Sequence, residues 1–352
     1  MYTCGITPYD ATHFGHAATY LTYDVLQRRL RDLGHETRCV RNITDVDDDL
    51  LRKARELGVH YLDLAAGEIA RFDEDIVALE LLPSFSEPRA TSAIADIRGF
   101  IGMVLDRGHA YRSAGAVYFD VSSWPRFGEV SHYDRAQMLA FAKERGGNID
   151  DPAKRDPLDF VLWQPSAADE PSWESLWGPG RPGWHIECSA LALRELGTTI
   201  DLHGGGSDLI FPHHECEAAQ SEAATGEPFV RHWMHQAMVR MDGEKMSKSL
   251  GNLVFVSELR KEWDTRAIRL AALAHHYRTP WEWTDDLMAQ AASRLDAWEA
   301  AGQGEGALDA TRAALDDDLD TPAAVAAIDA AAAAGLGVSA AAMLLGVDLN
   351  RT

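Results

Sequence analysis

Alternating apolar and polar blocks near the start of the chain predict a strand, a turn and a helix. A short apolar segment ending at Cys4 meets a turn that contains glycine and proline. Gly34 ends the helix, and residues 38–43, which include Val40 and Ile43, then predict a short second strand. The apolar positions that predict the helix are Ala17, Tyr20, Leu21, Val25 and Leu26.

Further along, the same patterning predicts an α/β protein with a helical end. Residues 50–80 and 91–107 repeat apolar residues at helical spacing, which indicates packing helices. Other segments follow in order: a strand at 117–121, loops at 146–148 and 164–182, a strand at 199–203, helices at 253–274 and 284–345, a flexible joint at 302–306 and a helix cap at 320–322. Tryptophans 163, 173 and 177 are expected to be packing anchors.

Bulk properties narrow the class of protein. The 352 residues carry a formal net charge of -22, with 46% hydrophobic and 25% charged residues, which suits a globular protein of two or three domains. We find no apolar run long enough for a membrane span and no signal peptide before Cys4. The four cysteines are too scattered for a disulfide framework, which favours the cytoplasm. The acidic balance weighs against a polyanionic partner.

Candidate chemistry begins at the first helix. His13 and His16 are three residues apart, so they share one helix face, and Gly15 leaves room there for a flat ligand. A helix N-terminus carries partial positive charge and suits phosphate. Two unrelated histidines near a helix start are the alternative. The acidic run at 44–49 follows the second strand, where it is either part of a ligand site or an ordinary helix cap.

Two further clusters lie in the second half of the chain. Gly204, Gly205 and Gly206 follow a strand and predict a turn that lets the backbone approach a ligand. Cys4, Cys188, His213 and Glu217 are a plausible tetrahedral zinc set, but no local spacing rule supports them, and free cysteines are more commonly small buried apolar residues. His213 and Glu217 are four residues apart and therefore share a helix face, whereas His214 suits a hydrogen-bonded core position.

Together these segments resemble the class I aminoacyl-tRNA synthetases. The match is to cysteinyl-tRNA synthetase and its paralogue, the mycothiol cysteine ligase, and it runs from residue 1 to about 349. The motifs are Cys-Gly-x-Thr-x-Tyr-Asp at 4–10, His-x-Gly-His at 13–16, Asn-Ile-Thr-Asp at 42–45, Gly-Trp-His-Ile-Glu-Cys at 183–188, Phe-Pro-His-His-Glu at 211–215 and Lys-Met-Ser-Lys-Ser at 245–249.

The resemblance implies a fold and its divisions. We expect a Rossmann-type parallel sheet in a catalytic domain at 1–235, with a connective insertion at about 108–180. Residues 236–280 would hold the Lys-Met-Ser-Lys-Ser loop and its supporting helices, and 281–352 a C-terminal helical bundle. A first strand of this type normally has several residues before its functional end, whereas Cys4 stands almost at the start of the sequence. We therefore also expect that residues precede this sequence.

The resemblance also implies site residues. One zinc ion per chain would be held by Cys4, Cys188 and His213 and would bind the substrate thiolate, with the role of Glu217 open. ATP would bind with Mg²⁺, and the catalytic residues His13, His16, Lys245 and Lys248 would stabilise charge on its phosphates. Further ATP contacts are Thr7, Gly15, Gly204, Gly205, Gly206, Met246, Ser247 and Ser249, and further substrate contacts are Gly5, Thr44, Trp184 and Asp208.

Three features favour the ligase over the synthetase. Pro8 stands where the synthetase usually has valine, Ala18 stands where it has arginine, and the chain ends before an anticodon-binding segment. Residues 156–160, Glu217 and residues 234–235 are more like the synthetase. The expected partners are therefore ATP, L-cysteine and glucosaminyl-inositol, without tRNA or membrane, in a monomer or weak dimer. The alternatives are a cysteinyl-tRNA synthetase and an inactive binding homologue.

Overall fold

The structure is a computed structural model that describes residues 1–9, 12–246 and 251–351. It divides into two compact units whose segments alternate along the chain. The first unit contains Met1–Tyr9, Arg38–Ala66 and Ser84–Met234, and the second contains Asp10–Thr37, Gly67–Pro83 and His235–Thr352. The predicted linear division at 235 and 280 stays a prediction.

Helices and strands follow one another in the α/β pattern that the sequence predicts. The helices are α1 (Phe14–Asp32), α2 (Asp48–Leu57), α3 (Tyr61–Ala78), α4 (Ile94–Asp106), α5 (Arg135–Glu144), α6 (Trp184–Leu196), α7 (Glu215–Thr225), α8 (Val256–Glu262), α9 (Thr265–Leu273), α10 (Leu287–Ala301), α11 (Leu308–Asp316), α12 (Thr321–Ala333) and α13 (Ser339–Leu344). The strands are β1 (Tyr2–Ile6), β2 (Val40–Ile43), β3 (Ala110–Ser113), β4 (Ala116–Phe119), β5 (Phe160–Gln164), β6 (Arg181–Pro182), β7 (Ile200–Gly206), β8 (Val230–Gln236), β9 (Val239–Met241), β10 (Glu244–Lys245) and β11 (Trp281–Glu282).

A sheet in the order β2-β1-β7-β8 forms the centre of the first unit. β1 runs parallel to both of its neighbours, with Tyr2 opposite Val40 and Thr3 opposite Gly204. The β1 and β2 positions are almost all buried, as expected for parallel strands whose two faces are covered. α4, α6 and α7 pack together beside it, around a core that includes Phe119, Trp163 and Phe211. The predicted parallel sheet is therefore confirmed.

The predicted insertion contains an antiparallel sheet in the order β3-β4-β5-β6. Three of these strands lie within 108–180, and β6 follows at Arg181–Pro182. Trp163 is fully buried, donates from its indole nitrogen to the Gly178 carbonyl at 3.3 Å and meets Trp177 edge to face. The expectation that Trp163 is a packing anchor is confirmed.

Local signals in the sequence locate several helix ends. The Asp47 carboxylate accepts from the Leu50 amide at 2.9 Å at the start of α2, which ends at Gly58 with φ 66°. Asp320 caps α12 in the same way through the Ala323 amide, with Pro322 in the first turn. The acidic run at 44–49 thus contains the helix cap that was one of its two interpretations.

Two loop predictions are wrong. Gly204, Gly205 and Gly206 do not form a turn, because β7 extends through all three while Gly204 pairs with β1. The segment 302–306 is not an open joint either. The Gly306 amide donates to the Gly337 carbonyl at 2.8 Å, and the Gly302 carbonyl accepts from the Val338 amide at 2.9 Å. The segment is therefore hydrogen-bonded to the residues just before α13.

In the second unit α1 packs against α9, and a small sheet forms in the order β10-β9-β11. Arg269 on α9 is buried and donates to the Asp24 carboxylate on α1 and to the Leu79 carbonyl. Burial would make an isolated guanidinium costly, so this pairing holds the two helices in one arrangement. Of the helices in the described ranges, none combines the length and the apolar character needed to cross a bilayer.

Candidate functional site

Four side chains converge in the first unit, on β1, at the start of α6, in the turn before α7 and on its first turn. Cys4, Cys188, His213 and Glu217 are all buried, and each offers one atom within 4.8 Å of the others. Atoms bound to one zinc ion at about 2.0–2.3 Å lie within about 4.6 Å of one another. A set already within 4.8 Å therefore needs only small side-chain shifts to hold a single ion. The structure brings together the predicted ligands and Glu217, whose role the sequence left open.

The nitrogen Nε2 of His213 gives the clearest sign that these residues fit a metal. It is buried and lies 2.7 Å from Glu217 Oε1, yet it has no hydrogen bond of proper geometry. A buried polar atom without such a partner is costly unless something else satisfies it. Cys4 Sγ also lies 3.6 Å from Glu217 Oε1, and all four cysteines are free thiols. The donor set of two thiols, an imidazole and a carboxylate is typical of zinc.

Electrostatics in the group favour deprotonated ligands at Cys188 and Glu217. A hydrogen bond from Cys4 lowers the pKa of the Cys188 thiol to about 6, although burial acts in the opposite direction. Burial alone would raise the pKa of Glu217, but the neighbouring His203 and His213 hold this pKa well below its usual range. Burial opposes the charged form of His213, yet Glu217 and Cys188 raise its pKa to about 10. Burial raises the pKa of Cys4.

Three more histidines lie directly outside this group. His185 Nδ1 is 2.9 Å from His213 Nδ1, and His203 Nε2 is 2.7 Å from Glu217 Oε2. His214 Nε2 is 3.3 Å from Cys4 Sγ. His214 is buried and hydrogen-bonded, as predicted, whereas sequence reasoning gave no role to His185 or His203. No local spacing marks these two residues, because their partners come from other segments of the chain.

The predicted substrate contacts have mixed surroundings. Trp184, the first residue of α6, stacks on His213 with ring centroids 4.1 Å apart. Thr44 is buried and its hydroxyl accepts from Asn42 Nδ2 at 3.1 Å. Asp208 is exposed, and its Oδ1 lies 2.4 Å from where a Cβ on Gly206 would stand. Trp184 therefore adjoins the metal group, whereas Thr44 has a hydrogen bond inside the sheet.

Gly5 has a structural reason of its own to be glycine. A Cβ at this position would lie 1.5 Å from the Asn42 carbonyl oxygen on β2, and the Gly5 amide donates to Asn42 Oδ1 at 2.9 Å. Sequence reasoning placed Gly5 among the substrate contacts. The structure gives it close backbone packing between β1 and β2, a constraint that a single sequence does not reveal.

The two predicted catalytic histidines lie in the second unit, at the start of α1. His13 is the N-cap of α1, and its ring stacks on that of His16 with centroids 3.7 Å apart. A Cβ on Gly15 would lie 3.0 Å from the His13 ring. Gly15 therefore makes room for the neighbouring imidazole, and the predicted sharing of one helix face by His13 and His16 is confirmed.

The Lys-Met-Ser-Lys-Ser segment begins on the second strand of a tight hairpin. β9 and β10 are joined through Asp242 and Gly243, both with positive φ, which is typical of a two-residue turn. Lys245 is in β10, and Met246 is buried and donates its amide to the Val239 carbonyl. Ser247, Lys248 and Ser249 lie outside the described residues. Thr7 is half-buried beyond the end of β1.

Comparison with known proteins agrees with this architecture. The family model described as "tRNA synthetases class I (C) catalytic domain" matches residues 1–293. The chain belongs to this family. A ligase of Nocardiopsis dassonvillei, named L-cysteine:1D-myo-inositol 2-amino-2-deoxy-alpha-D-glucopyranoside ligase, is 52% identical over 337 residues, covering 94% of this chain and 83% of the relative. A ligase of the same name from Frankia alni is 52% identical over 338 residues, covering 94% and 82%.

Similarity to a solved structure supports the fold alone. Mycobacterium tuberculosis methionyl-tRNA synthetase in complex with methionyl-adenylate superposes with a TM-score of 0.72 at 17% identity, covering 94% of this chain and 81% of that one.

The relatives named above carry the name of the ligase paralogue, so the resemblance favoured in the sequence is confirmed. The chain thus belongs among these ligases within the class I family.

Proposed function

We propose that the protein is an ATP-dependent ligase that activates L-cysteine as cysteinyl-adenylate and transfers it to the amine of glucosaminyl-inositol, releasing pyrophosphate and AMP. The buried group of Cys4, Cys188, His213 and Glu217 carries this proposal. It occurs in a chain that is 52% identical to ligases named for cysteine and an amino-sugar of inositol.

Cys4, Cys188 and His213 would hold one zinc ion, with Glu217 beside them as the fourth candidate. Zinc would supply a soft partner for the thiolate of cysteine, which a serine hydroxyl cannot replace. Metal coordination would in this way select cysteine over serine, a distinction that hydrogen bonding alone makes poorly. Trp184, stacked on His213, is our candidate for closing the cysteine pocket beside the metal group.

Charge on the phosphates sets the requirement of the first step. The cysteine carboxylate attacks the α-phosphate of ATP and pyrophosphate leaves, so cationic and hydrogen-bond donors must face the phosphates. His13, His16, Lys245 and Lys248 are our candidates, with Mg²⁺ bound to ATP. The stacked imidazoles of His13 and His16 offer ring nitrogens at the start of α1, where the helix dipole also favours anions.

The second step needs no nucleophilic side chain. The amine of the sugar attacks the activated carbonyl of cysteine, an amide bond forms and AMP leaves. We assign the protein the tasks of orienting the two reactants and keeping the adenylate from water. Asp208, which is exposed, is our candidate for contacting the ammonium or ribose of the bound reactants.

Two assays test this function. The purified chain should exchange labelled pyrophosphate into ATP only when cysteine is present, and it should release AMP when glucosaminyl-inositol is added. Serine in place of cysteine is the control for the metal group. Absence of cysteine-dependent exchange would contradict the proposal and favour a binding homologue. Formation of cysteinyl-tRNA, without use of the amino-sugar, would favour the synthetase instead.

A further inference from the structure

Two buried histidines, His203 and His214, lie beside the metal group and are not among its four members. His203 and His214 are fully buried, and both pack on the indole of Trp233, with ring centroids 5.0 Å and 5.1 Å away. Each contacts one member of the group through Nε2, His203 at Glu217 and His214 at Cys4. Buried imidazoles placed in this way affect a metal ligand through hydrogen bonding, even when they never touch the ion.

The two oxygens of the Glu217 carboxylate have different partners, and His203 contacts only one of them. Oε2 accepts from His203 Nε2 at 2.7 Å, because a carboxylate can only accept. Oε1 is the oxygen directed to His213 Nε2 and Cys4 Sγ. The other ring nitrogen of His203, Nδ1, is buried without a hydrogen bond, so His203 offers the group a single donor.

A second possible metal group overlaps the first. Cys4, His203, His214 and Glu217 also lie close enough to hold one ion. This second group shares Cys4 and Glu217 with the first, so one ion cannot occupy both fully. It has one thiol rather than two, and it would require His203 and His214 to give up the contacts that they make through Nε2. Two thiols and the unsatisfied Nε2 of His213 favour the first group.

We propose that His203 is a positioning residue for Glu217, which fixes the carboxylate so that Oε1 alone faces Cys4 and His213. Glu217 is then a single-oxygen ligand of the metal group, and His203 is its hydrogen-bond donor rather than a ligand. This inference rests on the metal group of the proposed function, but it concerns residues to which neither sequence motif nor family name assigns a role.

The fixed carboxylate matters because of charge. Two thiolates and one carboxylate carry three negative charges, so they already outweigh a divalent ion before an anionic substrate thiolate arrives. Each additional buried charge is costly unless it is paired or hydrogen-bonded. The N–H of His203, donated to Oε2, offsets part of the charge of Glu217 and prevents both carboxylate oxygens from facing the metal position. Room then remains for one further sulfur.

A matched pair of variants tests the positioning role. His203→Gln keeps an N–H donor near the position of Nε2, whereas His203→Met has similar size and no donor. We expect His203→Met to weaken zinc binding about 10- to 100-fold in competition with a chromophoric chelator, and His203→Gln to recover most of the loss. His232→Met, at an exposed position on β8, is the control and should bind zinc as the unmodified chain does.

A double-mutant cycle shows whether His203 acts through Glu217. In a Glu217→Gln background, His203→Met should change zinc affinity less than about twofold, since the carboxylate that it positions is gone. Absorption of the Co²⁺-loaded chain gives a second readout, because the visible bands should change in His203→Met and not in His232→Met. An equal loss with and without Glu217 would overturn the positioning role, as would unchanged affinity in His203→Met.

Separate variants distinguish failure of this inference from failure of the proposed function. If Cys188→Ser keeps zinc while His214→Met loses it, the ion occupies the second group, and His203 is a ligand rather than a positioning residue. If neither variant binds less zinc, the proposed metal group itself is wrong. Should His203→Met not fold, His203→Phe replaces it, because the phenyl ring keeps the stacking on Trp233 and removes the donor.

Discussion

Among single residues, the buried thiols provide the most direct chemistry. Cys188 is 1% exposed and belongs to the metal group, whereas Cys39 is 6% exposed and does not. Serine is similar in size to cysteine at both positions, but a hydroxyl is a poor zinc ligand. The pair therefore separates loss of a metal ligand from the general cost of placing a hydroxyl in the core.

We expect Cys188→Ser to abolish zinc binding and Cys39→Ser to leave it intact. The unmodified chain should carry about one zinc ion, whereas the Cys188→Ser chain should carry about a tenth or less, since one of its ligands is gone. Atomic absorption of the purified, gel-filtered proteins gives the answer. Full zinc content in Cys188→Ser would remove this residue from the metal group.

Lys248 carries a prediction that comes from its motif alone, because it lies outside the described residues. Its charge matters most as the phosphates gain negative charge, so Lys248→Ala should lower the rate of cysteine-dependent pyrophosphate exchange about 100-fold or more. The apparent affinity for cysteine should change little. Lys261→Ala, at an exposed site that pairs with Glu258, is the control. Equal exchange rates in the two variants would exclude the proposed role.

At the scale of strands and helices, Gly5 and Gly102 make a matched comparison. Gly102 is inside α4, and a Cβ there would meet nothing within 4 Å, whereas a Cβ on Gly5 would strike the backbone of β2. Gly5→Ala should lower the free energy of unfolding by about 3 kcal/mol or more, while Gly102→Ala should raise it by about 0.5–1 kcal/mol. Chemical denaturation measures both. A neutral Gly5→Ala would show that the two strands can move apart cheaply.

Element positions could be predicted where the signal is local. Apolar periodicity and the ending at Gly34 placed α1, and Asp320 with Pro322 placed the start of α12. The glycines of β7 were misjudged because a run of glycine is typical of turns, while here pairing with β1 continues the strand. The contacts of His185 and His203 could not be predicted, since each depends on segments brought together only by folding.

For the molecule as a whole, net charge yields a prediction about the acceptor. A formal charge of -22 opposes binding of a polynucleotide, whose phosphates must be neutralised by basic side chains. We expect no salt-sensitive retention of the protein on immobilised tRNA and no cysteinyl-tRNA product, while glucosaminyl-inositol supports AMP release. Filter binding at low and moderate salt, with a cysteinyl-tRNA synthetase as positive control, makes the comparison. Charging of tRNA at the rate of adenylate formation would refute the ligase assignment.

The alternation of the two compact units along the chain has a consequence for biosynthesis. The polypeptide passes between them five times, at 9/10, 37/38, 66/67, 83/84 and 234/235. A ribosome has therefore made the opening segments of both units long before it makes the closing segment of either one. The first unit can assemble only after Met234 has emerged, and the second must wait for the final helices. Early segments such as α1 thus stay without their distant partners during translation, and their apolar faces are open to non-native contacts until those partners arrive.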